Sequence, residues 1–241
     1  MRQINTNTST EIRIAGLTPL TTIDFPGRLA AVIFTQGCPW RCRYCHNWPL
    51  LDPSEGSGVG WDQVVDFLMR RQGLLDGVVF SGGEPLLWEG LADKLSIVKT
   101  MGYETALHTN GYYSQRLQQL IEQNVLDWLA MDIKAPFGDY ARITGISGSG
   151  DAACESVNII LRTNIPHEFR MTVHPGLLSR EDVLEAGREL KMMKGDQLVL
   201  QKCRTRFSLD PEIRLDYIHY DALLRNLKSE LEEFLPVVTI R

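Results

Sequence analysis

Three cysteines in one short segment could hold a metal centre. Cys38, Cys42 and Cys45 are spaced C-x3-C-x2-C, and they are three of the chain's five cysteines. Because one residue extends the chain by at most about 3.5 Å, three thiolates this close in sequence can face one small metal centre from a single loop. A structural zinc site or a common iron–sulfur cluster takes four protein ligands. Three cysteines therefore leave one coordination position open, for a ligand elsewhere in the chain or for a substrate.

Short apolar segments predict the strands that would position this cysteine loop (residues 37–48). They lie at 29–35, 77–80, 104–108, 128–132, 169–173 and 197–201. Apolar spacing and capping residues predict the intervening helices from Trp61, at 91–101, 113–122 and 151–161, from Ser179 with Asp182 as a capping box, and through 224–234. The Gly/Ser-rich segment 145–150 is predicted to be a loop. Strands that alternate with helices indicate an α/β fold with a parallel sheet.

Further polar or glycine-rich groups come directly after the predicted strands. They are Gly82-Gly83-Glu84, Thr109-Asn110-Gly111, Asp132 with Lys134, and His174-Pro175-Gly176. The carboxyl ends of parallel strands meet at one edge of the sheet, where β/α folds place their chemistry. We therefore expect these groups and the cysteine loop to form one site. Asp132 and Lys134 are two residues apart on an extended segment, so their side chains should share a face.

Composition restricts the class of protein. The chain has 241 residues, 44% hydrophobic and 23% charged, which predicts one globular domain over 1–241, with a frayed tail at 1–10 and a C-terminal extension with a terminal helix at 202–241. The net charge of −5 argues against nucleic-acid or anionic-membrane partners. No apolar run of a signal peptide or a membrane span is present, and the bunched cysteines do not form a disulfide framework. We expect a cytoplasmic protein.

The cysteine spacing after the first predicted strand, with Tyr44 before the third cysteine, resembles the radical S-adenosylmethionine (SAM) enzymes. Gly82-Gly83-Glu84 is similar to the second motif of that superfamily. Within it, the chain most resembles the activating proteins of glycyl radical enzymes, those of anaerobic ribonucleoside-triphosphate reductase above all, with pyruvate formate-lyase activating enzyme as a cousin. The matching pieces, which run from about residue 17 to 201, are Asp24-Phe25-Pro26-Gly27, Phe34-Thr35-Gln36-Gly37-Cys38, Cys45-His46-Asn47, Ser81-Gly82-Gly83-Glu84-Pro85, Thr109-Asn110-Gly111, Asp132-Ile133-Lys134 and Arg170.

The resemblance implies a partial (βα)6 TIM-like barrel that holds one [4Fe–4S] cluster on Cys38, Cys42 and Cys45, with SAM on the fourth iron. The reduced cluster cleaves SAM, and a 5′-deoxyadenosyl radical abstracts a hydrogen, with no catalytic residue needed beyond cluster and cofactor. The implied SAM contacts are Gly82, Gly83 and Glu84 at the methionine amino group, Asp132 and Lys134 at the carboxylate and ribose, Arg170 at a carboxylate or ribose oxygen, Tyr44 near adenine, and Thr109 and Asn110, which orient the cofactor.

Each of these roles has a structural alternative. Gly82 and Gly83 suit a backbone that approaches a ligand closely, because a Cβ would intrude, but a plain strand-to-helix turn also favours glycine. Asp132 and Lys134 could form ion pairs with other groups, and Arg170 could form a salt bridge at the barrel rim. Tyr44 could exclude solvent. Thr109 and Asn110 could cap the following helix.

Histidines and the remaining cysteines raise separate points. A zinc site closed by His46 is the alternative to a cluster, but it leaves Gly-Gly-Glu unexplained. The similar segment of pyruvate formate-lyase activating enzyme is Asp-Thr-Asn-Gly, with an aspartate at the position of His108. In that enzyme the aspartate helps to bind a monovalent cation. An imidazole cannot supply the anionic oxygen, so we expect no cation site of the same form. Cys154 and Cys203 are expected to be reduced and structural, since two isolated cysteines cannot hold a second cluster.

The leading hypothesis is therefore an activase that generates a glycyl radical on a partner enzyme, and the resemblance implies anaerobic ribonucleoside-triphosphate reductase as that partner. Flavodoxin or ferredoxin is the electron donor that the resemblance implies. The first alternative is a radical SAM enzyme that acts on a small molecule, similar to 7-carboxy-7-deazaguanine synthase. The second is a non-catalytic iron–sulfur or zinc binding module.

Overall fold

An eight-stranded sheet forms the centre of the structure, a computed structural model that describes residues 11–55, 58–214 and 219–241. The strands are β1 (Ile14–Thr21), β2 (Ala30–Thr35), β3 (Gly77–Gly82), β4 (Glu104–Thr109), β5 (Trp128–Asp132), β6 (His167–Val173), β7 (Gln197–Lys202) and β8 (Val237–Ile240). They lie side by side in chain order, with β2 to β8 parallel and β1 antiparallel to β2. The tail predicted to be frayed, 1–10, lies outside the described residues.

The six predicted strands are all present, and they correspond to β2 to β7. The α/β class and the TIM-like, mostly parallel sheet are therefore confirmed. The sequence did not predict β1 or β8 as strands. β1 contains Gly16 and Pro19 and has mixed burial, and β8 has only four residues with alternating exposure, so neither has the continuous apolar run of a central strand.

Seven α-helices in the described residues connect or cover the strands. They are α1 (Trp61–Met69), α2 (Leu91–Thr100), α3 (Ser114–Glu122), α4 (Tyr140–Thr144), α5 (Ser149–Leu161), α6 (Arg180–Met192) and α7 (Tyr220–Leu231). The predicted capping box is confirmed: Asp182 N donates to Ser179 Oγ at 3.1 Å, and Ser179 N donates to Asp182 Oδ2 at 2.8 Å. In the described ranges, none of these helices is both long and apolar enough to cross a membrane.

The predicted loop at 145–150 is present only at 145–148, between α4 and α5, because Ser149 and Gly150 form the first turn of α5. Gly150 lies inside α5, and a Cβ there would come within 1.9 Å of the carbonyl oxygen of Phe137. The glycine therefore permits close packing of the first turn of α5. The local composition suggested a loop because glycine and serine serve turns and tight packing equally well.

The two faces of the sheet bury different side chains. One face packs large apolar residues against the helices. The other face, which encloses the barrel interior, carries a smaller apolar cluster in which Phe25 stacks on Trp128 at 5.7 Å between ring centroids. Apart from Trp128, the buried strand residues of this inner cluster are small: Ala30, Val32, Val79, Ala106 and Ala130. Towards the carboxyl ends, the same inner face carries His108, Asp132 and Arg170, so the apolar layer supports a polar one.

Candidate functional site

The three spaced cysteines lie in the loop that follows β2. Cys42 is buried, Cys38 and Cys45 are partly exposed, and all five cysteines of the chain are free. Burial raises the pKa of Cys42 to about 11 and also raises the pKa values of Cys38 and Cys45. Negative charge on Cys45 raises the pKa values of Cys38 and Cys42 further. Three thiolates here would therefore need a positively charged partner.

Backbone hydrogen bonds hold the cysteine loop in shape. Gly37 N donates to Leu50 O at 2.7 Å, and Arg41 N donates to Thr144 O at 2.8 Å, which ties the loop to α4. In the described ranges, no three His, Cys, Asp or Glu side chains are grouped so that they could hold a single metal ion. The ring of His46, the fourth ligand in the zinc alternative, is exposed.

Unsatisfied donors in and near the loop test whether a polar group fits here. Trp40 Nε1, Tyr44 OH and Arg170 Nη2 are buried and lack a hydrogen-bond partner in the part of the chain that the structure describes. A buried donor without an acceptor costs about 1–3 kcal/mol. Sulfide, carboxylate or hydroxyl groups of a bound cluster and cofactor would remove that cost, so the residues present fit the groups that the resemblance implies.

The two glycines at the end of β3 pack closely against neighbouring backbone, Gly82 against the end of β2 and Gly83 against the start of the cysteine loop. A Cβ on Gly82, which has a φ of +120°, would lie 2.4 Å from Thr35 N, and a Cβ on Gly83 would lie 2.1 Å from Gly37 O. Glu84 N also donates to Gly37 O at 2.8 Å. Glycine is therefore required because these positions closely approach the protein's own backbone. The two explanations based on the sequence, space for a ligand and a plain strand-to-helix turn, do not include this contact. Contact of these glycines with SAM stays a prediction.

Glu84 joins the carboxyl ends of β3 and β4. It is fully buried, and its Oε1 accepts from Leu86 N at 3.0 Å and from Thr109 Oγ1 at 2.8 Å, while Oε2 accepts from Asn110 N at 2.7 Å. Burial raises the pKa of Glu84 to about 7, although these three donors act in the opposite direction. Most of the carboxylate's capacity to accept hydrogen bonds is therefore used within the protein, a structural role that the sequence motif did not reveal.

Asn110 faces the first cysteine. Its Nδ2 lies 3.6 Å from Cys38 Sγ, and its Oδ1 accepts from Tyr112 N at 2.9 Å. The alternative that Thr109 and Asn110 cap the following helix is wrong, because the N-cap of α3 is Tyr113 and no side chain caps it. The segment instead turns the chain at Gly111, whose N–H donates to Thr109 Oγ1 at 3.0 Å and whose φ is +80°.

Asp132 and Lys134 form an ion pair, so the prediction that they share a face is confirmed. Lys134 Nζ lies 2.7 Å from Asp132 Oδ2 and 5.5 Å from the centroid of the Tyr44 ring. Burial alone would raise the pKa of Asp132, but the charge of Lys134 holds it below its usual value. Burial would lower the pKa of Lys134, but Asp132 and Tyr44 keep it well above the usual value. Both groups are therefore charged near neutral pH.

Arg170 makes the predicted rim salt bridge and still keeps a free donor. Its Nε donates to Glu168 Oε1, and Glu168 also accepts from Arg241 in a two-pronged contact at 2.6 and 2.8 Å. The sequence did not single out Glu168 or Arg241, because they are 73 residues apart and follow no motif. Nη2 of Arg170 remains buried and unpaired. The salt bridge and a contact to a ligand are thus compatible.

His108 is held between Arg170 and the turn at Asp24. Because the guanidinium can only donate, Nδ1 accepts from Arg170 Nη1 at 3.2 Å, and Nε2–H donates to Asp24 O at 2.8 Å. Burial and the charge of Arg170 lower the pKa of His108 to about 3, so the ring is neutral. Both of its nitrogens are occupied within the protein.

His174 and the two cysteines outside the cysteine loop are not placed to join the three cysteines of that loop as metal ligands. His174 follows β6, but its Nε2 is bonded to Ile213 O at 3.0 Å and its Nδ1 to Gly176 N at 3.1 Å. Cys154 lies on α5, and the buried Cys203 follows β7. Cys203 is close enough to Tyr44 to affect its pKa, so it borders the site.

Comparisons with known proteins agree with this geometry. The family model of the Radical SAM superfamily matches residues 32–190. A putative glycyl-radical enzyme activating enzyme of Methanocaldococcus jannaschii is 27% identical over 237 residues, 95% of each chain. A pyruvate formate-lyase-activating enzyme of Clostridium pasteurianum is 30% identical over 235 residues, 92% of this chain and 96% of the relative.

Solved structures share the fold at low identity. SuiB of Streptococcus suis bound to S-adenosylmethionine superposes with a TM-score of 0.66 at 13% identity, over 87% of this chain and 49% of SuiB, so the chain spans about half the length of that protein. An archaeal TYW1 superposes with a TM-score of 0.57 at 14% identity, over 86% of this chain and 72% of TYW1. At these identities the comparison concerns the fold alone.

Proposed function

This chain belongs to the radical SAM superfamily, and we propose that it activates anaerobic ribonucleoside-triphosphate reductase by generating a glycyl radical on it. It is an activating enzyme of glycyl radical enzymes, with a [4Fe–4S] cluster and SAM as its cofactors. The observation that carries this function is the similarity to activating enzymes over nearly the whole chain, together with the meeting of their motifs at one end of the sheet.

The choice of target rests on the sequence. The matching pieces from Asp24 to Arg170 most resemble the reductase activases. His108 stands at the position where pyruvate formate-lyase activating enzyme has an aspartate. Pyruvate formate-lyase is the second candidate target, and the 30% identity to its activating enzyme from Clostridium pasteurianum favours it. We also infer a single domain over 1–241, flavodoxin or ferredoxin as electron donor, and a cytoplasmic location, where free thiols stay reduced.

Cys38, Cys42 and Cys45 would hold three irons of the cluster and leave one iron for SAM. When bound, the reduced cluster would supply the one electron that cleaves SAM into methionine and a 5′-deoxyadenosyl radical, which can take a hydrogen atom from glycine. The charge of Lys134 opposes the rise that burial causes in the pKa of Cys42 and Cys45, which favours the thiolates that a cluster requires. The loop follows β2, so its cysteines would hold the cluster at the carboxyl ends of the strands.

The chain's own residues would orient SAM. Lys134, kept charged by Asp132, offers its remaining N–H groups to a carboxylate or a ribose oxygen. The free Nη2 of Arg170 can donate to another such oxygen, and Tyr44 supplies a buried ring and hydroxyl beside Lys134. Gly82, Gly83, Glu84, Thr109 and Asn110 would complete the site beside the methionine amino group.

Anaerobic reconstitution tests this function. The protein is loaded with iron and sulfide, reduced with dithionite, and supplied with SAM and either the reductase or pyruvate formate-lyase. We expect 5′-deoxyadenosine and a glycyl radical signal on the reductase in electron paramagnetic resonance (EPR) spectra. A glycyl radical signal on pyruvate formate-lyase alone would show that pyruvate formate-lyase, and not the reductase, is the target. Deoxyadenosine with no glycyl radical on either would favour the small-molecule enzyme, and no deoxyadenosine would exclude both enzyme functions.

A further inference from the structure

The side chain of Asn110 presents an N–H group to a proposed cluster ligand. Its Oδ1 accepts from the backbone N–H of Tyr112 at 2.9 Å, which fixes which end of the amide is oxygen. Nδ2 must then be the atom 3.6 Å from Cys38 Sγ, a suitable separation for a hydrogen bond to the larger sulfur atom. The backbone N–H of Trp40 also bonds to Cys38. The first cysteine of the loop therefore receives one backbone and one side-chain donor.

The surroundings of Asn110 keep this donor in place. Its backbone N donates to Glu84 Oε2 at 2.7 Å, and Thr109 next to it donates to Glu84 Oε1 at 2.8 Å. Asn110 is only 7% exposed, so water competes little for the amide. The carboxylate that follows the two glycines thus fixes the backbone of Asn110, and the turn to Tyr112 fixes its side chain.

We propose that Asn110 is a positioning residue for the cluster. Through an N–H···S hydrogen bond to Cys38, Asn110 raises the reduction potential of the cluster. A one-electron reduction adds negative charge that is shared with the cysteine sulfurs, so a donor to sulfur stabilises the reduced state more than the oxidised one. Low exposure strengthens this difference, because the effective dielectric constant is small. The inference rests on the proposed cluster at Cys38, Cys42 and Cys45, and it does not depend on which partner enzyme is activated.

The substitution Asn110→Ser tests the bond with little change to the turn. A serine hydroxyl can still accept from Tyr112 N–H, as serine does in such turns, but it cannot reach Cys38. The midpoint potential of the reconstituted cluster is measured by an EPR-monitored redox titration without SAM. We expect a lower midpoint in the variant. At a fixed potential the ratio of reduced to oxidised cluster should fall by up to about tenfold, which is about 59 mV for one electron.

Asn158→Ser is the matched control. Asn158 Nδ2 lies 4.0 Å from the sulfur of Cys154, which is not in the cysteine loop, so this variant should keep the parent's midpoint. An unchanged midpoint in Asn110→Ser, with full iron and sulfide content, would overturn the proposal, and so would equal shifts in both variants. A parent that binds no cluster would instead refute the proposed function, so the two failures are distinguishable.

A second measurement covers the case in which Asn110→Ser binds no cluster. Protein labelled with ¹⁵N in its asparagine side chains should show a ¹⁵N hyperfine coupling in pulsed EPR spectra of the reduced cluster. The same label in Asn47→Ser should leave the coupling in place, which excludes the asparagine that follows Cys45 and His46 as its source. Absence of the coupling would overturn the proposal.

Discussion

The substitution Gly83→Ala separates two reasons for a glycine after β3. A Cβ at Gly83 would lie 2.1 Å from Gly37 O and 2.7 Å from Gly37 C, and both of these atoms belong to the backbone of the cysteine loop. Neither atom can rotate away as a flexible side chain could. The loop and the end of β3 would have to separate by about 1 Å to restore an ordinary contact.

The cost of that separation can be worked out from the contacts it disturbs. Overpacking a well-packed region costs about 1–3 kcal/mol. The hydrogen bond from Glu84 N to Gly37 O, at 2.8 Å, would also be stretched, and a typical hydrogen bond contributes about 0.5–1.5 kcal/mol. We therefore expect a loss of about 2–4 kcal/mol in the free energy of unfolding. For a chain of this length that corresponds to a Tm lower by about 4–16 °C.

Thermal unfolding of the apoprotein is the decisive assay, with iron content after reconstitution as the second readout. Gly138→Ala is the matched control, because no atom lies within 4 Å of the Cβ position there and φ is not positive. It should leave the free energy of unfolding unchanged or raise it by about 0.4–1 kcal/mol. If Gly83→Ala unfolds at the same temperature as the control and loses only SAM binding, the glycine serves the ligand and our reasoning is refuted.

Two further predictions concern the site. Replacing any one of Cys38, Cys42 or Cys45 by Ala should abolish SAM cleavage, measured as 5′-deoxyadenosine, whereas Cys154→Ala and Cys203→Ala should not; loss of the cluster in Cys203→Ala would contradict the three-ligand assignment. Burial and Arg170 lower the pKa of His108 to about 3, so the folded ring stays neutral while the unfolded chain takes up a proton below about pH 6.5. Stability from this group is therefore complete above about pH 6.5 and is lost as pH falls towards 3. Between pH 6.5 and 5.5, the free energy of unfolding measured in urea should fall by about 1 kcal/mol less in His108→Gln than in the parent. An identical dependence of that free energy on pH in both proteins would contradict this.

The sequence was sufficient to predict the central strands and the edge where the motifs meet. Parallel strands are buried on both faces, so they read as continuous apolar runs, and chemistry in β/α folds lies at their carboxyl ends. This logic located the cysteine loop, Glu84, Asn110 and the Asp132–Lys134 pair at one end. The same pattern did not predict β1, because an edge strand pairs on one side only and tolerates Gly16 and Pro19.

What the sequence could not supply were contacts between distant residues that follow no local pattern. Glu168 reads as an ordinary charged strand residue, yet it is buried between Arg170 and Arg241. The clash that requires Gly83 depends on a carbonyl 46 positions earlier in the chain, at Gly37. Such features depend on how β2, β3, β6 and β8 are placed in space, and a one-dimensional pattern does not carry that placement.

The contacts of Gly83 and Glu84 also limit what can be transplanted from this protein. A synthetic peptide that copies residues 37–48 would keep the three thiols, but it would lack the amide that binds Gly37 O and the asparagine that faces Cys38. Grafting the loop onto another scaffold therefore requires the ends of β3 and β4 as well. The smallest portable unit of this site is three neighbouring strand ends, and the cysteines alone are not sufficient to reproduce it.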